Sequence, residues 1–140
     1  MKKVLLYVWQ LPQHLLALLL IKITGACKTN SFYSPVEARV YRQSKYKSWG
    51  ISLGRYIILH DWYDSNTEYH ELGHSVQSVW FGPLYLIIIG IPSALFNNLW
   101  DRLFHKSWSA ERRRKWYYSR WPEKQADRLG GVERLRAGGG

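Results

Sequence analysis

The chain has 140 residues and a mass of 16.6 kDa, enough for one hydrophobic core and too little for two. Twenty Lys and Arg stand against ten Asp and Glu, a formal charge of +10 that favours anionic partners. Apolar residues make up 46% of the sequence and aromatics 16%, which excludes a disordered basic tail; the lone Cys27 excludes a disulfide scaffold and a Cys-rich zinc finger.

Val4–Thr24 is the first apolar stretch and, as a helix, has about the length of a hydrocarbon core. Pro12 lies inside it, and Gln10, Gln13 and His14 form a polar patch that prefers a protein partner to lipid. The expectation for residues 1–26 is a kinked or interfacial membrane-type helix. A secretion or lipoprotein signal is the competing reading, because Lys2-Lys3 precede the apolar run and Gly25-Ala26 precede Cys27. Lys22 near the end of the run, and Thr24 where such signals want a branched aliphatic residue, speak against it.

Residues 27–140 read as one domain. Val36–Tyr41 and Gly50–Leu59 are rich in β-branched and aromatic residues, with a polar turn at 43–48 between them, and predict a small antiparallel edge sheet. Ser65, with Glu68 three positions on, reads as the cap of a helix running to Phe81 and stopped by Gly82-Pro83. Residues 83–98 are apolar, too short to span a bilayer and broken at Gly90-Ile91-Pro92, which predicts a bent helical hairpin. Helical stretches follow from Leu99 to Ser119, and Pro122 opens a last short helix that ends at Gly130-Gly131. The fold class is α+β and mainly helical.

The chemistry sits on the helix that ends at Phe81. His70-Glu71-Leu72-Gly73-His74 places two imidazoles four residues apart on one face, where both reach one zinc ion, with Glu71 beside the open coordination position. No Cys or His follows His74 at the metzincin spacing for a third ligand. The acidic candidates are Glu123 and Asp127, which share a face of the last helix; Ala126 between them is small enough for close approach to the zinc helix. Glu123 lies in the first turn, where the helix dipole favours the ionised form.

His70–His74, taken with Glu-Lys-Gln-Ala-Asp-Arg-Leu-Gly at 123–130, resembles the gluzincin zinc peptidases, and most of all the membrane-embedded HtpX-like and prenyl-protein endopeptidases. The resemblance covers the two motifs and their helices. It implies that His70, His74 and Glu123 hold zinc, that Glu71 is the general base, and that Asp127 orients a ligand histidine. The implied reaction is peptide-bond hydrolysis of a peptide or protein substrate, with Gly50–Leu59 as the edge along which an extended substrate lies. His105, Tyr117 and Tyr118 are the candidates for stabilising the oxyanion, while His14 and His60 read as structural.

Charge bears on location. Arg112-Arg113-Arg114-Lys115 followed by Trp116-Tyr117-Tyr118 suits an anionic lipid surface better than nucleic acid, given the apolar mass elsewhere. Lys2-Lys3 and the basic C-terminal part both favour the cytoplasmic side, which one full span cannot satisfy and a re-entrant or interfacial helix can. The expectation is a membrane-associated zinc metallopeptidase at a bacterial cytoplasmic membrane with its C-terminal part cytoplasmic. The alternative is a basic lipid- or nucleic-acid-binding module with structural zinc or none.

Overall fold

The computed structural model describes residues 1–47, 49–132 and 134; the end of the domain expected over 27–140 lies outside the described residues. The N-terminal stretch, expected as a kinked or interfacial helix, forms two helices, α1 (Lys2–Trp9) and α2 (Leu11–Thr24), bent by 76° at Gln10. Pro12 causes the break, since it has no amide hydrogen to continue the first helix and suits the first turn of a new one. Among the described residues no single helix is long and apolar enough to cross a membrane; α1 and α2 meet that length and composition only as a bent pair. The polar patch does find protein partners. Gln13 Nε2 donates to Ser78 Oγ and to the Gly82 carbonyl, Ser78 Oγ donates to Gln10 Oε1, and His14 Nε2 accepts from the amide of Arg55.

Four strands form one sheet: β1 (Cys27–Tyr33), β2 (Ala38–Gln43), β3 (Gly50–Leu53) and β4 (Tyr56–His60), in the order β1-β2-β4-β3. The sheet is mixed and not purely antiparallel, because β2 and β4 run parallel. After β2 the chain passes over one strand position, lays β3 at the edge, and turns at Gly54 to bring β4 back between them. The segment read as one strand over Gly50–Leu59 is therefore a hairpin. β2 begins at Ala38 because Pro35 sets a single 3₁₀ turn over Ser34–Val36. β1 carries a polar sequence with weak alternation, as an outer strand can.

Helix α3 (Ser65–Phe81) ends at Gly82 as expected, but its cap is Asp64: Oδ1 accepts from the Thr67 amide and hydroxyl, both at 2.8 Å. Glu68 accepts from the Tyr33 hydroxyl instead of closing back on the cap. The expected hairpin over 83–98 is a helical run. Leu86–Gly90 and Pro92–Leu99 are wide, π-type turns, the linking residues Tyr85 and Ile91 are right-handed helical, and the run passes directly into α4 (Trp100–Phe104). Widening the turns accommodates the missing amide hydrogen and the ring of Pro92 without a reversal. The stretch expected to be helical from Leu99 breaks after α4 and resumes as α5 (Ala110–Ser119), capped by Ser109. The last helix, α6 (Glu123–Gly130), has Pro122 at its start and Gly131 in the left-handed conformation at its end.

Two buried clusters place these parts. Ala38, Val40, Ile57 and Leu59 lie between the sheet and α3, with Leu72 packed on them. Ala17, Leu53, Tyr85 and Ile89 join α2, the end of β3 and the wide-turn run. Helix α3 is thus fixed against the sheet on one side, leaving its His70/His74 face for α6.

Candidate metal centre

Helices α3 and α6 approach closely because Gly73 has no side chain. A Cβ at that position would lie 1.8 Å from the carbonyl oxygen of Ala126, which is itself fully buried. The contact brings the two motifs together. Nε2 of His70 and Nε2 of His74 each lie 3.0 Å from the same oxygen of Glu123, Oε2, and the three ligand atoms fall within 4.8 Å of one another. All three side chains are buried. These residues form a group able to bind a metal ion.

The surrounding hydrogen bonds decide what the three atoms offer. Nδ1 of His70 faces Asp127 Oδ1 at 2.7 Å, and a carboxylate only accepts, so the proton is on Nδ1. Nδ1 of His74 faces Gln77 Oε1 at 2.7 Å. The amide of Gln77 cannot be flipped, since its Nε2 donates to the Pro122 carbonyl and to Gln125 Oε1. In the neutral state both rings therefore present Nε2 lone pairs to a carboxylate oxygen. Three acceptors converging in a buried space require a cation or extra protons between them, and two neutral imidazoles with one carboxylate are a donor set that a zinc-type ion accepts.

The charges of these side chains show the same demand. Burial opposes charge on His70, but Asp127 and Glu123 outweigh it and raise its pKa to about 9. Burial likewise opposes charge on His74, and Glu123 again overrides it upward. Burial alone would raise Glu123; the pull of His74 and the bonds from both rings hold its carboxyl well below the usual range. Glu71 is raised, chiefly by burial, and its Oε2 has no hydrogen-bond partner among the described residues. A buried carboxylate oxygen without a partner among the described residues, next to His70, His74 and Glu123, is able to accept a proton.

Supporting side chains that the sequence did not reveal complete the site. Ser93 Oγ, from the wide-turn run, donates to Glu123 Oε1. Arg134 donates from Nε and Nη2 to both oxygens of Asp127, and its guanidinium lies 3.2 Å from the centre of the Tyr118 ring. Gln77, one turn beyond His74 on the same face, was legible in principle from its spacing; Ser93 was not. The structure brings Tyr118 to the site, edge-on to His70 with ring centres 5.1 Å apart. Tyr117 lies beside it, accepting from Asn98 Nδ2.

His105 is not brought there. Its ring is stacked on Trp108 at 3.6 Å, meets Trp116 edge-on, and donates through Nδ1 to Asp101, so the contacts of this buried histidine are those of a local aromatic core. His60 packs against Trp62 and its Nδ1 meets the Trp49 carbonyl. Comparisons with protein-family models, curated proteins and solved structures find no match to this chain.

Proposed function

We propose that the chain is a zinc metallopeptidase associated with a membrane surface. The observation that carries the reading is the convergence of His70, His74 and Glu123 on one point beside the buried carboxylate of Glu71, whose Oε2 has no partner among the described residues. His70, His74 and Glu123 would hold the ion, with Asp127 and Gln77 fixing the two rings. Zinc in such a site supplies Lewis acidity, making water a nucleophile near neutral pH and polarising a carbonyl.

The chain's own residues do the rest. Glu71 takes a proton from the attacking water as the oxygen–carbon bond forms, then gives it to the amine nitrogen as the carbon–nitrogen bond breaks. Position 50 lies over this carboxylate: a Cβ there would touch Glu71 Oε1 at 3.4 Å and crowd the Leu59 side chain at 2.9 Å. Tyr118, packed on His70, is the better placed of the residues expected to steady the developing oxyanion. Edge strand β3 is the seat for an extended peptide.

Exposed apolar side chains support the membrane part of the reading. Leu5, Val8, Leu15 and Leu19 on α1 and α2, and Ile87, Leu95, Phe96 and Phe104 on the wide-turn run and α4, are each half exposed or more. Cations accompany them, with Lys2 beside Leu5, Trp9 and Pro83, and Arg112, Arg114 and Lys115 exposed on α5. This pattern suits an interfacial position on the cytoplasmic face of an anionic bilayer. The test of function is peptide cleavage by the zinc-loaded protein. Glu71→Gln should keep the metal and lose cleavage; cleavage that survives this substitution removes the peptidase mechanism.

A further inference from the structure

The edge strand offered to a substrate is open along only part of its length. The Trp49 carbonyl accepts from the His60 amide, so Trp49 and His60 are a hydrogen-bonded pair of the antiparallel β3–β4 ladder. By the alternation of such ladders, Gly50 and Ser52 turn their amide and carbonyl groups away from β4, towards the free edge. Gly50 is exposed and Ile51 half-buried, but Ser52 and Leu53 are 3% and 2% exposed. The outward carbonyl of Ser52 is already occupied, since the Tyr85 hydroxyl donates to it at 2.8 Å. The Tyr85 ring, with Ala17 and Ile89, closes over Leu53.

The strand is also aligned with the catalytic helix. Position 50 lies over Glu71, and Ser52 Oγ lies 2.7 Å from Ser75 Oγ, so β3 and α3 run the same way, two strand residues to one helical turn. The open end of the edge is therefore the end beside Glu71, and Tyr85 closes the other end one pair further on.

Resting on the peptidase reading, we propose that Tyr85 terminates the substrate-binding edge and makes the length requirement one-sided. A peptide pairing antiparallel to β3, the more stable pairing, runs from the Ser52 end towards the Gly50 end. It makes one complete pair, with Gly50, and meets the Tyr85 cap on its amino side; room remains for no more than about two residues there, given the strand rise per residue. On its carboxyl side the peptide continues past Gly50 without obstruction from the cap. The substrates are thus peptides cut close to a free amino terminus, or chains that turn away from the sheet just before the bond cleaved.

Two nested series of internally quenched peptides around one cleavable bond, given to the zinc-loaded full chain, test this. Extension on the carboxyl side should raise kcat/KM with each of the first added residues, and extension beyond two residues on the amino side should leave it unchanged. Tyr85→Ala should make amino-side extension productive by about 2- to 10-fold, the worth of a recovered hydrogen bond. Equal gains on both sides, or the opposite asymmetry, in the wild-type protein overturn the proposal whether or not the variant folds. A folded variant with the wild-type length profile also overturns it. Zinc-loaded protein that cuts no member of either series removes the peptidase reading itself, a different outcome from cleavage without asymmetry.

Discussion

Gln77 presents its side-chain oxygen to Nδ1 of His74 at 2.7 Å, and its own amide hydrogens are held by α6 and the residue before it. The glutamine thus fixes the tautomer of the His74 ring and ties the two site helices together. Asp127 does the same for His70. Gln77→Leu and Asp127→Ala should each weaken zinc binding by about 10- to 100-fold while leaving the three ligands in place. Competition with a chromophoric chelator measures this, and an unchanged affinity for either variant would remove that residue from the site.

The contact at Gly73 predicts a structural failure at a position that touches no ligand. Gly73→Ala puts a Cβ 1.8 Å from a backbone oxygen that no rotamer can move aside. The helices must separate, at a cost at least as large as the about 1–3 kcal/mol usual for overpacking. Thermal unfolding should show the loss of stability and metal analysis a loss of zinc, because Glu123 moves with α6. Wild-type values for both would mean that α3 and α6 do not pack through this glycine.

Much of the site could be read from the sequence because its logic is local. Spacing of four on one helix sets His70 and His74 together, and the same spacing pairs Glu123 with Asp127. What made the long-range step legible was Ala126, a small residue between the two acids; the matching gap at Gly73 is the other half of that contact. Ser93 and Arg134 reach the site through tertiary packing and carry no local signal. The fold was less legible where local chemistry misleads. Gly90 and Pro92 ordinarily break a helix, yet wider turns absorb them. Cys27–Tyr33 is too polar to announce a strand, and the parallel pairing of β2 with β4 depends on where β3 lies in space rather than on its residues.

His14 gives the stability a pH dependence away from the metal centre. Burial, then the nearby Arg55 charge, lowers its pKa from 6.5 to about 4, and its Nε2 accepts from the Arg55 amide only while unprotonated. The unfolded chain therefore binds this proton at higher pH than the folded one. The contribution is fully present above pH 6.5 and is lost as the pH falls from there towards 4. Denaturant titrations across this range should show the loss, and His14→Gln, which keeps an acceptor without the titration, should show a smaller one. An identical pH profile for both proteins would contradict the assignment.

Attachment to anionic lipid is predicted to depend on the exposed cations of α5. Replacing Arg112, Arg114 and Lys115 by Gln should weaken binding to phosphatidylserine-containing vesicles by up to about 3 kcal/mol at low salt, at about 1 kcal/mol per charge. Raising the salt should narrow the difference, and cleavage of a short soluble peptide should be unaffected. Vesicle binding that does not change in the triple variant would mean that α5 is not the contact.

X-ray absorption at the zinc edge, on protein purified with stoichiometric zinc, tests the central claim most directly. The account predicts one tightly held ion per chain, two imidazole nitrogens at about 2.0–2.1 Å and oxygen ligands completing the shell, with the imidazole signal weakened in His70→Ala. A protein that retains no zinc, or a spectrum showing a sulfur ligand, which only Cys27 and Met1 could supply, would contradict it.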